Sequence, residues 1–182
     1  MRTIEPASNA RLPIRIRIGE DALRQIERES SYSPRTETGG VVAGIENGRD
    51  GEVIITHASG PGPEARRSPF HFQHDRIFCQ EFLDSLARKT SGRIDYLGEW
   101  HKHFESDPRP SGTDIKTLRK IVSDNNYHVS LPLLLIIGQS NVRASLKVWI
   151  FNNSGNFVFA EWASCVDGDF ELLVSASGGL KR

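Results

Sequence analysis

The feature that most constrains the fold of this chain is the apolar run at residues 131–137, where six of the seven residues are leucine or isoleucine. The run is too short to cross a bilayer, which takes about 20 apolar residues in a helix. A strand of this composition is predicted to be buried on both faces, inside a sheet that other elements cover. The 182 residues are enough for one domain with its own hydrophobic core.

Strand and helix signals alternate over the rest of the sequence. Ile14, Ile16 and Ile18 alternate with arginines, which predicts a half-buried strand at 14–18. Apolar residues at helical spacing predict a surface helix at 20–29. The other predicted elements are strands at 40–45 and 52–58 joined through Asn47-Gly48, a helix at 74–89, a strand at 93–100, a helix at 113–124, a strand at 131–138, and an antiparallel pair at 144–151 and 156–164.

This order of elements predicts a mixed α/β fold in which most neighbouring strands are antiparallel. We assign residues 14–174 to one domain, 1–13 to an N-terminal extension and 175–182 to a flexible C-terminal tail. Residues 59–69 include three prolines and two glycines, and we predict a loop without regular structure there. Loops of this length often contribute to binding.

Charge and cysteine content narrow the classes of function. The 23 basic and 23 acidic residues cancel, whereas a nucleic-acid binder usually has a basic excess, so no nucleic-acid partner is predicted. Cys79 and Cys165 are too few for a disulfide framework and fit a reducing compartment. The first residues lack an apolar run of signal-peptide length, so we expect a cytoplasmic protein without a membrane partner.

Two histidines are the first candidates for chemistry. If the strand at 93–100 continues through them, His101 and His103 point to the same face and begin a divalent-metal site. Asp114 follows a proline-containing loop and starts the predicted helix, where its carboxylate would complete three ligands. Three protein ligands and an open fourth position are typical of catalytic zinc. Glu37, just before a buried strand, is a remote candidate for the proton acceptor.

Simpler explanations exist for each of these residues. A histidine pair at this spacing is common by chance. Ser111 and Asp114 also form a capping box for the helix, which needs no metal. Glu37 stands beside two glycines and suits a turn. Glu105 and Asp107 are alternative carboxylates, which we interpret as solvated loop charges.

The residues Glu37, His101-x-His103, Ser111 and Asp114, with seven residues between His103 and Ser111, resemble the JAMM (MPN+) signature of the JAB/MPN/Mov34 metallopeptidases. The phrases ETGG around Glu37 and LGEW before the histidines are similar to bacterial members, and so is the segment 58–72. The resemblance covers roughly residues 14–164. Within the family, the sequence resembles the compact bacterial JAB deconjugases encoded beside ubiquitin-activating-like and conjugating-like enzymes, including those of antiphage systems.

The resemblance implies an MPN/JAB domain, a cytidine-deaminase-like fold with a curved sheet flanked by helices. It also implies a zinc isopeptidase that cleaves after the C-terminus of a ubiquitin-like protein, by deconjugation or precursor processing. His101, His103 and Asp114 would bind Zn²⁺. Glu37 would accept the proton of the attacking water and pass it to the leaving amine, and Ser111 would stabilise the oxyanion. The implied partners are the ubiquitin-like protein or its conjugate and the conjugation enzymes.

The sequence departs from the family pattern at two positions. Family members usually have a small hydroxyl residue between the histidines and a proline after them, where this chain has Lys102 and Phe104. On a strand, Lys102 is predicted to point away from the metal. Trp100 is predicted to lie in the core. Arg66 and Arg67 in the loop 59–73 are candidates for contacting the modifier.

Two other functions remain open at this point. The chain would be an inert MPN-type interaction module if its site were vestigial. It would be a JAB peptidase of another specificity if it acted on a sulfur-carrier protein or a small-molecule conjugate.

Overall fold

One curved, eight-stranded sheet forms the centre of the fold. The computed structural model describes residues 14–47, 51–105, 107–124, 127, 129, 131–138, 145–152 and 155–165, so the predicted N-terminal extension and C-terminal tail lie outside the described residues. The elements, in chain order, are β1 (Arg15–Gly19), α1 (Glu20–Tyr32), β2 (Gly39–Asn47), β3 (Glu52–Ala58), β4 (Arg66–Ser68), β5 (His71–Gln73), α2 (Arg76–Thr90), β6 (Asp95–His103), α3 (Gly112–Ser123), β7 (Leu133–Gly138), β8 (Ser145–Phe151), β9 (Phe157–Ala160) and β10 (Trp162–Cys165).

The main sheet has the strand order β10-β1-β3-β2-β6-β7-β8-β9. Strand β1 is parallel to both of its neighbours, and β6 is parallel to β7. The remaining pairings in this sheet are antiparallel. Strands β9 and β10 lie at opposite edges although only Glu161 separates them. The sheet must therefore curl until its edges nearly meet, and the Trp162 indole N–H donates to the Leu146 carbonyl at 3.2 Å.

The two faces of this sheet pack against different helices. Strand β7 is buried throughout, and its residues alternate between two cores. Leu133, Leu135 and Ile137 face the core that contains Ala22 and Ile26 of α1. Leu134 and Ile136 face the core that contains residues of α2 and α3. The prediction of a strand buried on both faces is confirmed, and so is the mixed α/β fold with a curved, mostly antiparallel sheet flanked by helices.

Two local predictions are wrong. Residues 66–68 form β4, which pairs with β5 in a separate hairpin, whereas we expected no regular structure between 59 and 69. The reason is that Gly60, Pro61, Gly62 and Pro63 cluster before the hairpin, and Pro69 falls in its turn, where no ladder hydrogen bond is needed.

The predicted strand at 156–164 is divided. Its first part, β9, pairs antiparallel with β8 as expected. The chain then crosses at Glu161, and β10 pairs parallel with β1. Both halves have the pattern of a strand, and only the closure of the sheet determines which neighbour each half meets. Within the described part of the chain, the helices are too short or too polar to cross a membrane.

Candidate metal centre

A bulge in β6 decides which face the two histidines occupy. The pairing of β2 with β6 shifts between Val42 and Ala43, where Gly98 has φ 154°. A Cβ on Gly98 would lie 2.0 Å from the Leu133 carbonyl oxygen, so only glycine fits. The extra residue reverses the alternation of the strand. Leu97 and Trp100 consequently lie in the core beside α1, whereas His101 and His103 point to the other side.

We call the side of β6 that carries Trp100 and Lys102 its inner face, and the side that carries the histidines its outer face. Both inner residues are about 1% exposed. The Trp100 indole N–H donates to the Ser59 carbonyl at 2.9 Å, and the Lys102 ammonium donates to two carbonyls at the end of α1. The placement of Trp100 in the core and of Lys102 away from the histidines agrees with the sequence predictions.

The outer face brings the histidines together beside Gly39. Their ring centroids are 4.5 Å apart. Gly39 of β2 lies opposite His101, and a Cβ there would come within 2.6 Å of the Phe72 ring and 2.9 Å of the His101 Cβ. Glycine at this position therefore lets the hairpin approach the histidine strand closely.

Asp114 reaches the histidines from the first turn of α3. Its backbone N–H donates to Ser111 Oγ at 3.3 Å, and its Oδ2 accepts the Ser111 N–H, so the capping box is present. Its other oxygen, Oδ1, lies 3.6 Å from His101 Nε2. One carboxylate oxygen thus fixes the helix start while the second faces the imidazole. The role of Asp114 in the capping box is therefore compatible with a role as metal ligand.

Three observations show that His101, His103 and Asp114 fit a metal ion. One potential ligand atom from each lies within 4.8 Å of the others. Tetrahedral ligands at about 2.1 Å from zinc are separated by about 3.4 Å, close to the His101–Asp114 distance. His101 Nε2 is buried without a hydrogen-bond partner. Burial, partly opposed by Asp114, lowers the pKa of His101, which favours the neutral imidazole that a metal ligand requires.

Glu37 enters the same cleft from the segment that follows α1. Its backbone N–H donates to the Ser68 carbonyl of the hairpin at 2.9 Å. The cleft has a volume of about 390 Å³, and its lining includes Glu37, Ser111 and all three potential ligands. Burial, then the negative charges of Asp114 and Glu105, raises the pKa of Glu37 to about 7. A carboxylate with this pKa suits proton transfer at neutral pH.

Other charged residues singled out from the sequence lie elsewhere. Asp107 pairs with Lys147 and Arg109 and does not line the cleft, whereas Glu105 does. Arg66 and Arg67 are exposed on β4, and Arg67 donates to Ser33 Oγ at 3.4 Å. Neither arginine lines the cleft, so their role in contacting a modifier stays a prediction.

Sequence reasoning missed the aromatic wall of the cleft. Phe70, Phe72 and Phe104 line it beside the histidines, and Phe70 is 93% exposed at the turn of the hairpin. The available signal was two phenylalanines flanking His71 directly after Pro69, a short alternating pattern after a turn residue.

Fold and site together describe a class: an α/β domain in which two histidines and an aspartate lie where they could hold a metal ion. The family described as prokaryotic homologs of the JAB domain matches residues 19–150, and the chain belongs to this family. The resemblance noted in the sequence is therefore confirmed at the level of the family.

Individual relatives agree with this assignment. The chain is 33% identical over 122 residues to a CD-NTase/cGAS isopeptidase of Escherichia coli (strain TW11681), covering 66% of this chain and 73% of the relative. It is 31% identical over 128 residues to a probable metalloprotease of Sinorhizobium fredii, covering 69% and 77%. A solution structure from Desulfitobacterium hafniense shares the fold, with a TM-score of 0.63, 17% identity, and coverage of 84% of this chain and 94% of that one. The relatives named as an isopeptidase and a metalloprotease support a hydrolase.

Proposed function

We propose that this protein is a zinc-dependent isopeptidase that hydrolyses the amide bond following the C-terminus of a ubiquitin-like protein, or of a protein conjugated in the same way. The observation that carries the proposal is the convergence of His101, His103 and Asp114. The Nε2 atom of His101 is buried there without a hydrogen-bond partner. An inert interaction module has no need for an unsatisfied polar atom at this position, which costs stability.

Zinc is the metal that suits two neutral imidazoles and one carboxylate, with a fourth position left open. When bound, it would polarise the substrate carbonyl and lower the pKa of a water molecule to about 7. The protein holds the ligands by its own contacts, since the capping box orients Asp114 and the bulge at Gly98 orients the histidines.

Glu37 is the proposed general base and later general acid. Its pKa of about 7 allows it to take a proton from the attacking water and return it to the leaving amine. Burial is the largest cause of that pKa, so the cleft itself prepares Glu37 for this exchange.

Ser111 is the proposed oxyanion donor. Its Oγ accepts the backbone N–H of Asp114 through a lone pair, which leaves the hydroxyl proton free to donate. The side chain lies at the rim of the cleft and is exposed to an incoming substrate. One such donor typically contributes ~10² to 10³ in rate.

The relatives' names bear on the substrate. Relatives from Escherichia coli and Vibrio cholerae, the latter 32% identical over 125 residues, are named CD-NTase/cGAS isopeptidases. By analogy, we propose conjugates of a CD-NTase-type protein as the first candidates, made by ubiquitin-activating-like and conjugating-like enzymes in the cytoplasm. An extended C-terminal tail would enter beside the β4–β5 hairpin, and Arg66 and Arg67, which are exposed on β4, would contact acidic groups of the modifier.

The test uses two fusions, with green fluorescent protein joined after the C-terminus of a ubiquitin-like protein or of a CD-NTase-type protein from the same genome. We expect the chain to cleave at least one fusion at the junction, 1,10-phenanthroline to stop cleavage, and added zinc to restore it. The variant Glu37→Gln should retain zinc and lose most of its activity, with a measurable residual rate. Cleavage that survives both the chelator and the variant would overturn the proposal, and a wild-type chain that takes up no zinc would favour the inert module.

A further inference from the structure

Lys102 lies between the two histidines in the sequence, but its side chain lies on the inner face of β6, opposite to theirs. It is about 1% exposed, and its Nζ donates to the carbonyls of Ser33 at 2.8 Å and Ser30 at 3.1 Å. Among the described residues no carboxylate pairs with it. Its Nζ also lies 5.1 Å from the centroid of the Phe104 ring. The two departures from the family pattern, Lys102 and Phe104, thus contact each other.

Burial of an ammonium group is costly unless its partners compensate. Here the partners are carbonyls at the C-terminal end of α1, which carries the negative end of the helix dipole. The last turn of α1 contains no basic residue of its own. Lys102 supplies the missing positive charge from β6, which a small hydroxyl residue at this position is too short to do.

Two of the carbonyls that accept hydrogen bonds from Lys102 lie at the two ends of the segment that contains Glu37. At the start of residues 33–38, the Ser33 carbonyl accepts from the Lys102 ammonium at 2.8 Å. At the end, the Thr38 carbonyl accepts from the Lys102 backbone N–H at 2.8 Å. One residue of the histidine strand therefore holds both ends of the Glu37 segment.

We infer that Lys102 is a positioning residue, which fixes the Glu37 carboxylate relative to the metal ligands by clamping residues 33–38 against β6. The inference rests on the proposed function, in which Glu37 is the general base. It predicts that loss of the ammonium displaces Glu37 and leaves the metal ligands in place, because His101 and His103 lie on the other face of the strand.

The principal variant is Lys102→Met, which keeps the length of the side chain and removes its donors. On the fusion that the wild-type chain cleaves, we expect kcat to fall ~10- to 100-fold, since a displacement of about 1 Å can cost that much. KM should stay within about threefold and zinc content near that of the wild type. Val148→Ala, a core change on β8, controls for lost stability, and Lys102→Arg should recover most of the lost rate.

The decisive comparison is made in the Glu37→Gln background, where Lys102→Met should cost no more than about twofold. An equal loss in both backgrounds, or a kcat of Lys102→Met within twofold of the wild type, would overturn the inference while leaving the proposed function intact. Conversely, full activity of Glu37→Gln alone would contradict the proposed mechanism. Amide hydrogen exchange gives a readout without substrate: residues 33–38 should lose protection in Lys102→Met and not in Val148→Ala, and unchanged protection would also overturn the inference.

Discussion

The two faces of β6 differ in whether their buried polar atoms have hydrogen-bond partners. On the inner face, Trp100 and Lys102 direct their polar atoms to backbone carbonyls. On the outer face, His101 Nε2 is buried without a partner, and nearby Glu37 has a pKa raised to about 7. Two other buried hydroxyls that lack a partner, those of Thr38 and Tyr96, do not line the cleft. Groups that the fold satisfies stabilise it, whereas groups left unsatisfied beside a cleft are available for a ligand.

The largest effect should come from the outer face. Glu37→Gln removes the proposed base and keeps the shape of the side chain, so kcat should fall ~10²- to 10⁴-fold. Zinc content, measured by atomic emission, should remain near one per chain because the amide replaces no ligand. Loss of zinc together with activity would place Glu37 among the ligands instead, and the difference between the two faces of β6 would no longer hold.

The next effect concerns Ser111, which belongs to both a cap and the site. Ser111→Ala removes the hydroxyl, so kcat should fall ~10²- to 10³-fold. The lost cap should also lower the free energy of unfolding by about 1 kcal/mol. Ser111→Thr keeps both functions of the hydroxyl and serves as the control. A variant that loses stability but keeps kcat would show that Ser111 only caps α3.

How far the sequence predicts this contrast depends on the range of the interactions. Local geometry predicts the capping box at Ser111 and Asp114, and it predicts the shared face of the two histidines. Composition alone predicts that the apolar run at 131–137 is buried. These parts were predictable without a fold.

Other parts depend on contacts between distant segments. The bulge at Gly98 selects the outer face for the histidines, and the position requires glycine because the Leu133 carbonyl of β7 lies where a Cβ would be. The partners of Lys102 lie 69 and 72 residues away, on α1. The hairpin that walls the cleft begins within a segment whose prolines indicated a loop. Neither the hydrophobic periodicity nor the composition of the sequence predicts these contacts between distant segments.

An inner-face change should separate stability from activity. Trp100→Phe leaves the buried Ser59 carbonyl without the indole donor, which costs about 1–3 kcal/mol of unfolding free energy. Urea denaturation should show this loss, whereas kcat and zinc content should stay within about twofold of the wild type. A large fall in kcat in a folded, zinc-loaded Trp100→Phe protein would mean that the inner face also acts on the chemistry.

The smallest effect is a gain in stability from an outer-face change. In the metal-free protein, the raised pKa of Glu37 means that folding disfavours its charged form. This penalty is absent below the unfolded-state pKa of 4.5, grows as the pH rises towards 7, and is complete above it. Metal-free Glu37→Gln should therefore melt higher than metal-free wild type at pH 8, and the difference should vanish near pH 4.5.

Because Glu37 is partly exposed and solvent screens its charge, the gain in melting temperature should be a few degrees at most, given ~2–4 °C per kcal/mol for a chain of this size. Glu27→Gln, an exposed change on α1, is the control and should not move the melting temperature. A lower melting temperature for metal-free Glu37→Gln at pH 8 would show that the fold gains stability from this carboxylate, and the contrast between the two faces of β6 would then fail at its most important residue.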